Sequence, residues 1–412
     1  MINQRNCQTI RNGFSGSFQY FLALTLSVLL AGTEVSGSEV ESYFSSSYFD
    51  ARKKFLDEAK NSGAIINHWK NPQSGPEGQA IFTDVAYIGE PNANNYVVVI
   101  SGTHGVEGFA GSAIQTDLLR HGVDGDLPPS TAILFIHALN PYGFSHLRRF
   151  NEDNVDLNRN FVDDDTRELL INPGYSNLAS AISPPDYGLI TRLKSAVRLL
   201  WYRARHGREG LKRAITQGQF THPEGLFYGG KKAVWSNRVL NEIIQMYLAG
   251  ATRVVVIDVH TGLGNFAAAE MITNEPPDSP VHKRAVHIWG EMVTSTYDGT
   301  SVSEHLKGTL KLAMPKMIPS AEVTALSLEF GTVSPQTVFL ALREENCFFH
   351  NQSGEHQTSI EVKQKLLNAF YPQSIHWRRR VWQQGREIFS QALDWIARTD
   401  SQPDANNNTT KQ

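Results

Sequence analysis

Residues able to do chemistry gather at four places in this chain. The first is Ser-Gly-Thr-His-Gly-Val-Glu-Gly, Ser101 to Gly108, which sets His104 and Glu107 three positions apart. Both side chains can converge on one cation from a turn leading into a helix, and the flanking glycines let backbone approach closely. With 14 His and 23 Glu in the chain, about one such pair is expected by chance. His206 with Glu209 is a second instance, set among Arg203, Arg205, Arg208, Lys212 and Arg213, and it reads as a solvated helix face. For His104 and Glu107, metal ligation and helix capping by Glu107 both stand at this level.

The second place is His260, in Val-Val-Val-Ile-Asp-Val-His-Thr-Gly, Val254 to Gly262. A histidine at a strand end is often structural, but Asp258 lies two residues back, on the same face of an extended chain, where it can orient the ring. Two His and one Glu would form a three-ligand site with a fourth position open to water, which is the catalytic form of such sites. The third place is Glu329, at the end of the apolar run Ala325 to Leu328. A carboxylate there is costly unless paired or functional. Beside a metal it would be a general base for water attacking a carbonyl. The fourth is the polar run Arg148 to Phe161, which supplies Arg149, Asp156, Asn158 and Arg159 together. Part of it reads as a charged loop, yet arginine is the side chain suited to gripping a planar carboxylate with two hydrogen bonds.

The elements that must position these residues are visible as short apolar runs. Tyr96 to Ile100, Ala132 to Ile136, Val254 to Ile257 and Ala325 to Leu328 are rich in β-branched residues and apolar on both faces, as buried strands are. Helical spacing lies between them, in Phe109, Ala113 and Leu118 and again in Ile190, Leu193, Val197, Leu200 and Ala204. The second pattern, inside the basic segment Arg192 to Arg213, reads as a helix docked through its apolar face with the basic face in water. Contact with an anionic surface polymer is its alternative. Strands alternating with helices predict an α/β single domain with a mixed, largely parallel central sheet flanked by helices. Ligands of such sheets bind beyond the carboxyl ends of the strands, which is where three of the four places fall.

Taken together, the four segments resemble the zinc carboxypeptidase superfamily, including its aspartoacylase and succinylglutamate desuccinylase branch, from about Val97 to Thr332. The order is HxxE, then Arg with Asp-x-Asn-Arg, then a single His, then Glu. The resemblance implies one zinc ion per chain held by His104, Glu107 and His260, with Glu329 as general base. It implies that Asn158 and Arg159 hold a terminal carboxylate and that Arg149 polarises the scissile carbonyl. Asp156 would accept a hydrogen bond from His104. The 52 residues from Glu107 to Arg159, and the place of Arg149 ahead of Arg159, look nearer to the aspartoacylase branch. That spacing alone prefers Arg149 to Arg148. A substrate-capping tyrosine is also implied, for which Tyr228 and Tyr297 are both candidates. The expected activity is hydrolysis of an amide bond next to a free carboxylate, on a small peptide or an acyl amino acid. The alternatives are an N-acyl amino acid deacylase and a zinc-binding or anion-binding module without turnover.

Other readings fit less well. Gly262-Leu263-Gly264 after a strand imitates a dinucleotide fingerprint, but His260 and Thr261 intervene where the turn should be tight. His222 with Glu224 imitates half of an iron triad that usually sits on a β-barrel. No GxSxG elbow is present. The chain of 412 residues has 38 Lys and Arg against 41 Asp and Glu, with 41% hydrophobic residues. This balance excludes a polybasic nucleic-acid binder and a largely disordered protein. Only Cys7 and Cys347 occur, so no disulfide framework or cysteine metal site is available. Residues 1–37 read as a signal peptide, with Arg5 and Arg11 ahead of an apolar run from Tyr20 to Ala31. That predicts an exported protein, without a membrane span once the signal is cleaved, and a cytoplasmic one if the signal is not used. Residues 41–399 read as the catalytic domain, with 163–250 as an insertion, and 400–412 as a disordered polar tail.

Overall fold

The computed structural model describes residues 37–122, 127–351 and 356–400. The expected signal peptide, apart from its last residue, and nearly all of the polar tail lie outside them. The described residues build one α/β domain on an eight-stranded sheet. Its strands are β1 (Ile65–Ser74), β2 (Ala80–Gly89), β3 (Asn95–Ile100), β4 (Thr131–His137), β5 (Arg253–Phe266), β6 (Ala269–Thr273), β7 (Val293–Ser295) and β8 (Glu322–Gly331). They lie in the order β1-β2-β4-β3-β5-β8-β6-β7. The central run β4-β3-β5-β8 is parallel, while β1 to β2, β2 to β4 and β6 to β8 are antiparallel. The four apolar runs thus form the central parallel strands. They are buried on both faces, which is why their sequence shows no alternation.

One face is covered by the helices Trp235–Tyr247 and Leu310–Met317. Leu240, Ile243, Ile244, Leu310 and Met314 pack there with Val98, Val254, Val256, Val323 and Ala325. Strand register carries this face past the end of the core. Asp258 and His260 continue the face of Val254 and Val256, and Ser327 and Glu329 continue that of Val323 and Ala325, toward the carboxyl ends of their strands. On the other face lies the helix Gly108–His121. It approaches so closely that a Cβ on Gly111 would stand 2.7 Å from Ser101 Cβ and 3.1 Å from Val259 Cβ.

The basic segment forms the 28-residue helix Leu189–Thr216. Its orientation corrects the sequence reading. The apolar residues Ile190, Leu193, Val197 and Leu200 face out, and the buried residues of this helix are Ser195 and Ala214. Helical spacing reports that one face is apolar but carries no sign for which way that face points. Within 163–250, the Trp235–Tyr247 helix belongs to the core, whereas the first half of the Leu189–Thr216 helix lies on the surface. Cys347 is buried as a free thiol. Among the described residues no helix is long and apolar enough to cross a membrane.

Candidate metal centre

β3 ends at Ile100, and the chain turns through Ser101 to His104 into one turn of 3-10 helix, Gly105–Glu107, that runs into the Gly108–His121 helix. His104 and Glu107 are therefore stacked in a single turn, with His104 Nδ1 3.0 Å from Glu107 Oε1. Glu107 stands at the cap position of the following helix, but its side chain makes no capping bond. It turns inward, which removes the capping reading of this pair. Gly105 is required here because a Cβ would lie 2.0 Å from the carbonyl carbon of Gly143. The same turn is clamped by Arg148 and Arg149, whose carbonyls accept from the Val106 and Gly105 amides at 2.8 and 3.2 Å.

His260 reaches the same point from β5. Its Nδ1 lies 3.1 Å from His104 Nδ1 and 3.0 Å from Glu107 Oε2. The Thr261 amide also donates to Glu107 Oε2. All three side chains are buried. On its far side, His260 Nε2 meets Asp258 Oδ2 at 2.7 Å, and the other oxygen of Asp258 accepts from Thr103 Oγ1 at 2.6 Å. A carboxylate can only accept, so a neutral His260 donates from Nε2 and keeps a bare lone pair on Nδ1. That lone pair faces a carboxylate oxygen and a second imidazole nitrogen, an arrangement that a cation relieves. The two imidazole nitrogens lie 3.1 Å apart, and each lies 3.0 Å from one oxygen of Glu107, His104 from Oε1 and His260 from Oε2. These separations are close to the roughly 3.3 Å between ligands on tetrahedral zinc with bonds near 2.0 to 2.1 Å. His104, Glu107 and His260 form the group able to hold a metal ion among the described residues.

Asp156 binds the arrangement together. It caps the short helix Leu157–Asn160, with Oδ1 accepting from the Asn158 amide at 3.0 Å. The same oxygen faces His104 Nε2 at 3.1 Å, and Oδ2 accepts from Arg149 Nε at 3.2 Å. Burial alone would raise the Asp156 pKa, but Arg149, then His104 and Arg159, outweigh it and hold this carboxyl well below the usual range. Burial is likewise outweighed at Glu107, by His104 and Arg149. Arg149 Nη1 donates to Glu107 Oε1 at 2.6 Å, and Nη2 lies 2.9 Å from His104 Nε2. Arg148 points the other way, into a buried pair with Glu345 at 2.8 Å and onto the Phe349 ring. Adjacent arginines thus divide into one at the site and one in the core.

Glu329 is the register neighbour of His260 across the β5 to β8 pair. Its Oε1 accepts from the Leu263 amide at 2.9 Å. Burial, followed by the nearby Glu107 carboxylate, pushes its pKa up to about 8. Asn158 Oδ1 accepts from the Leu310 amide at 2.9 Å, and its Nδ2 lies 3.2 Å from His260 Nε2. Arg159 donates to the carbonyls of Asn158 and Thr216 at 2.8 and 2.7 Å, and its buried Nε has no partner. Its closest carboxylate is Asp156 at 3.9 Å. Burial lowers its pKa to about 10, against a weaker opposing pull from Asp156.

His104, Glu107, Arg149, Asp156, Asn158, Arg159, Asp258, His260 and Glu329 therefore arrive within one region. Tyr228 is buried and Tyr297 is 63% exposed. Gly262 and Gly264 lie inside the extended β5, so the strand-turn-helix needed by a dinucleotide site is not formed there. His206 and Glu209 are exposed on the long helix.

One residue escaped the sequence reading. Lys311 is buried at the start of the Leu310–Met317 helix, and its Nζ donates to the Ile272 carbonyl at 3.1 Å. Among the described residues it forms no ion pair. Burial lowers its pKa to about 8, and Asp258, Glu329 and Glu270 offset that only in part. Its signal in the sequence was a lysine on the apolar stripe of Leu310, Ala313 and Met314.

Among solved structures, the chain is similar to thrombin-activatable fibrinolysis inhibitor at 10% identity, covering 88% of this chain and 77% of that one, with a TM-score of 0.48. It is similar to carboxypeptidase A from Helicoverpa armigera at 14% identity, over 84% and 78% of the two chains, TM-score 0.43. It is also similar to the succinylglutamate desuccinylase from Chromobacterium violaceum at 16% identity, over 78% and 77%, TM-score 0.35. No curated protein matches the sequence. The family described as protein of unknown function DUF2817 matches residues 44–384. Because that match takes in the whole sheet and every residue of the candidate metal centre, the chain belongs to the DUF2817 family.

Proposed function

We propose that this chain is a zinc-dependent hydrolase that cleaves an amide bond next to a free carboxylate. The observation that carries the reading is the triangle of His104, Glu107 and His260, with a buried carboxylate, Glu329, on the neighbouring strand. Zinc held by these three side chains would supply Lewis acidity, lowering the pKa of water at its open position to about 7 and polarising a carbonyl. Asp258 and Asp156 fix the outer nitrogens of the two imidazoles and so fix which nitrogen is offered inward. Glu329, tied through one oxygen to the Leu263 amide, takes a proton from the attacking water and returns it to the leaving nitrogen. Arg149 is the most accessible cation at the centre, with 13% of its side chain exposed, and it stabilises the oxyanion as charge develops on the carbonyl oxygen.

Arg159 and Lys311 support carboxylate-directed hydrolysis. Both are buried cations short of counter-charge, and a buried unpaired charge is costly unless an anion completes it. Asn158 stands beside Arg159 to share that anion. Lys311 favours a second reading within the same chemistry, in which the substrate is an acyl amino acid with two carboxylates. The zinc-loaded protein is to be assayed on free and amidated peptides and on acyl amino acids with one and two carboxylates. Glu329→Gln should keep zinc and fold but lower turnover on the best substrate by roughly 10² to 10⁴. Full activity in that variant places the base elsewhere.

A further inference from the structure

The first half of the Leu189–Thr216 helix turns its apolar residues outward. Leu189, Ile190, Leu193, Val197, Leu200 and Trp201 are between 58% and 71% exposed. At about 100° per residue they form one stripe roughly 120° wide. Ser195, the buried residue of this half, stands on the opposite side. Arg198 ties the helix to its neighbour Pro173–Ile182 through Ser180 Oγ and the Asn177 carbonyl. The half ends at Gly207, whose φ of +75° breaks the helix. Nothing among the described residues covers the stripe. Burying such side chains stabilises a protein, so leaving six of them in water gives up a large gain.

The charges bordering the stripe say what covers it. From Leu189 to His206 there are five basic residues and no acidic one, in a chain whose formal charge is -3. By helical period Lys194, Arg198 and Arg205 follow one edge, while Arg192 and Arg203 follow the other. A second copy of this chain laid face to face would bring arginine borders against each other. A soluble anionic polymer would use the arginines and leave the stripe wet. A bilayer with anionic lipid satisfies both, since the apolar side chains and Trp201 enter the acyl boundary while long basic side chains reach the headgroups. We propose that the Leu189–Thr216 helix docks the protein, through this face, on a membrane surface containing anionic lipid.

The test uses the full chain and vesicles of phosphatidylcholine with or without phosphatidylglycerol. Co-sedimentation should be at least about tenfold stronger on the anionic vesicles, and that preference should shrink with salt. Leu193→Ser with Trp201→Ser should weaken binding at least about tenfold without changing thermal unfolding, because both side chains are already exposed. Lys194→Gln with Arg203→Gln should narrow the difference between the two vesicle types. Trp emission should be quenched by lipid with brominated acyl chains, and this quenching should be largely lost in Trp201→Phe. Residues 1–36 contain no Trp, so the N-terminal apolar run cannot produce that signal. Equal binding by wild type and the Ser variant with no quenching assigned to Trp201 overturns the proposal. So does a dimer that Leu193→Ser with Trp201→Ser dissolves while vesicles stay unbound, which would make this face a self-association surface. Binding to a soluble anionic polymer alone, unaffected by the Ser variant, overturns it as well.

Discussion

Asp156, Asp258 and Glu107 are three buried carboxylates with different tasks, and what separates them is which atom each one faces. Glu107 faces two imidazole nitrogens, whereas Asp156 and Asp258 face the outer nitrogens of the same rings. His260→Ala should therefore lose most of the roughly one zinc per chain, measured by elemental analysis after matched chelator treatment. His206→Ala, on the exposed face of the long helix, should leave zinc content unchanged. Equal content in the two variants would sink the assignment. The two arginines at the site make a second, sharper pair. Arg159→Lys cannot keep the planar fork, so catalytic efficiency on free-carboxylate substrates should fall by about 2 to 5 kcal/mol, with a much smaller loss on amidated ones. Arg149→Lys should lower turnover on both kinds, because the partner proposed for it is charge that develops in the transition state. If wild type cleaves amidated and free substrates equally well, Arg159 is not a carboxylate clamp.

Elements hold these residues through close backbone contact more than through side-chain packing. The turn carrying His104 and Glu107 is pressed against the Gly143 backbone and bonded to the Arg148 and Arg149 carbonyls, so it cannot shift without moving Arg149. Gly105→Ala places a methyl where backbone already stands. Its cost should reach about 3 kcal/mol, the upper end of ordinary overpacking, since backbone yields less than a side chain. Urea unfolding measures that cost, and zinc content should fall in the same variant. A stable, zinc-replete Gly105→Ala protein would show that the turn has slack.

Across the whole molecule, the buried sheet makes stability depend on pH through a histidine that is not one of the candidate metal ligands. His137 ends β4 with its ring stacked on Phe55 and Nε2 3.0 Å from Ser112 Oγ. Burial pushes its pKa down to about 4. The unfolded ring, near 6.5, takes up a proton first as pH falls. The folded-state advantage is thus complete above pH 6.5 and is lost between there and pH 4, a change of about 3 kcal/mol. Wild type should lose correspondingly more stability than His137→Gln between pH 7.5 and 4.5, in urea unfolding at each pH. Carboxylate titrations are common to both proteins and cancel in the comparison. Parallel pH profiles would remove His137 as the cause.

What the sequence determined by itself is local. The β-branched runs announced the four central strands because strands buried on both faces need no polar positions. His104 with Glu107, and Asp258 with His260, could be paired in advance because a turn and a strand bring three-residue and two-residue neighbours to one side. The outer strands β1, β2, β6 and β7 escaped, since β1 is polar and half-exposed, Thr83 and Asp84 interrupt the apolar residues of β2, and the other two are short. Tertiary structure alone decided the rest. The adjacency of β3, β5 and β8 brings positions 104, 260 and 329 together, and no local pattern encodes strand order. Spacing preferred Arg149 to Arg148, but only the Glu345 pocket shows why its neighbour is unavailable. Lys311 looked like one lysine in an apolar helix until the sheet placed it near Glu329. The outward face of the Leu189–Thr216 helix is the plainest case. Periodicity gives an axis of amphipathicity, and only the packed molecule gives its direction.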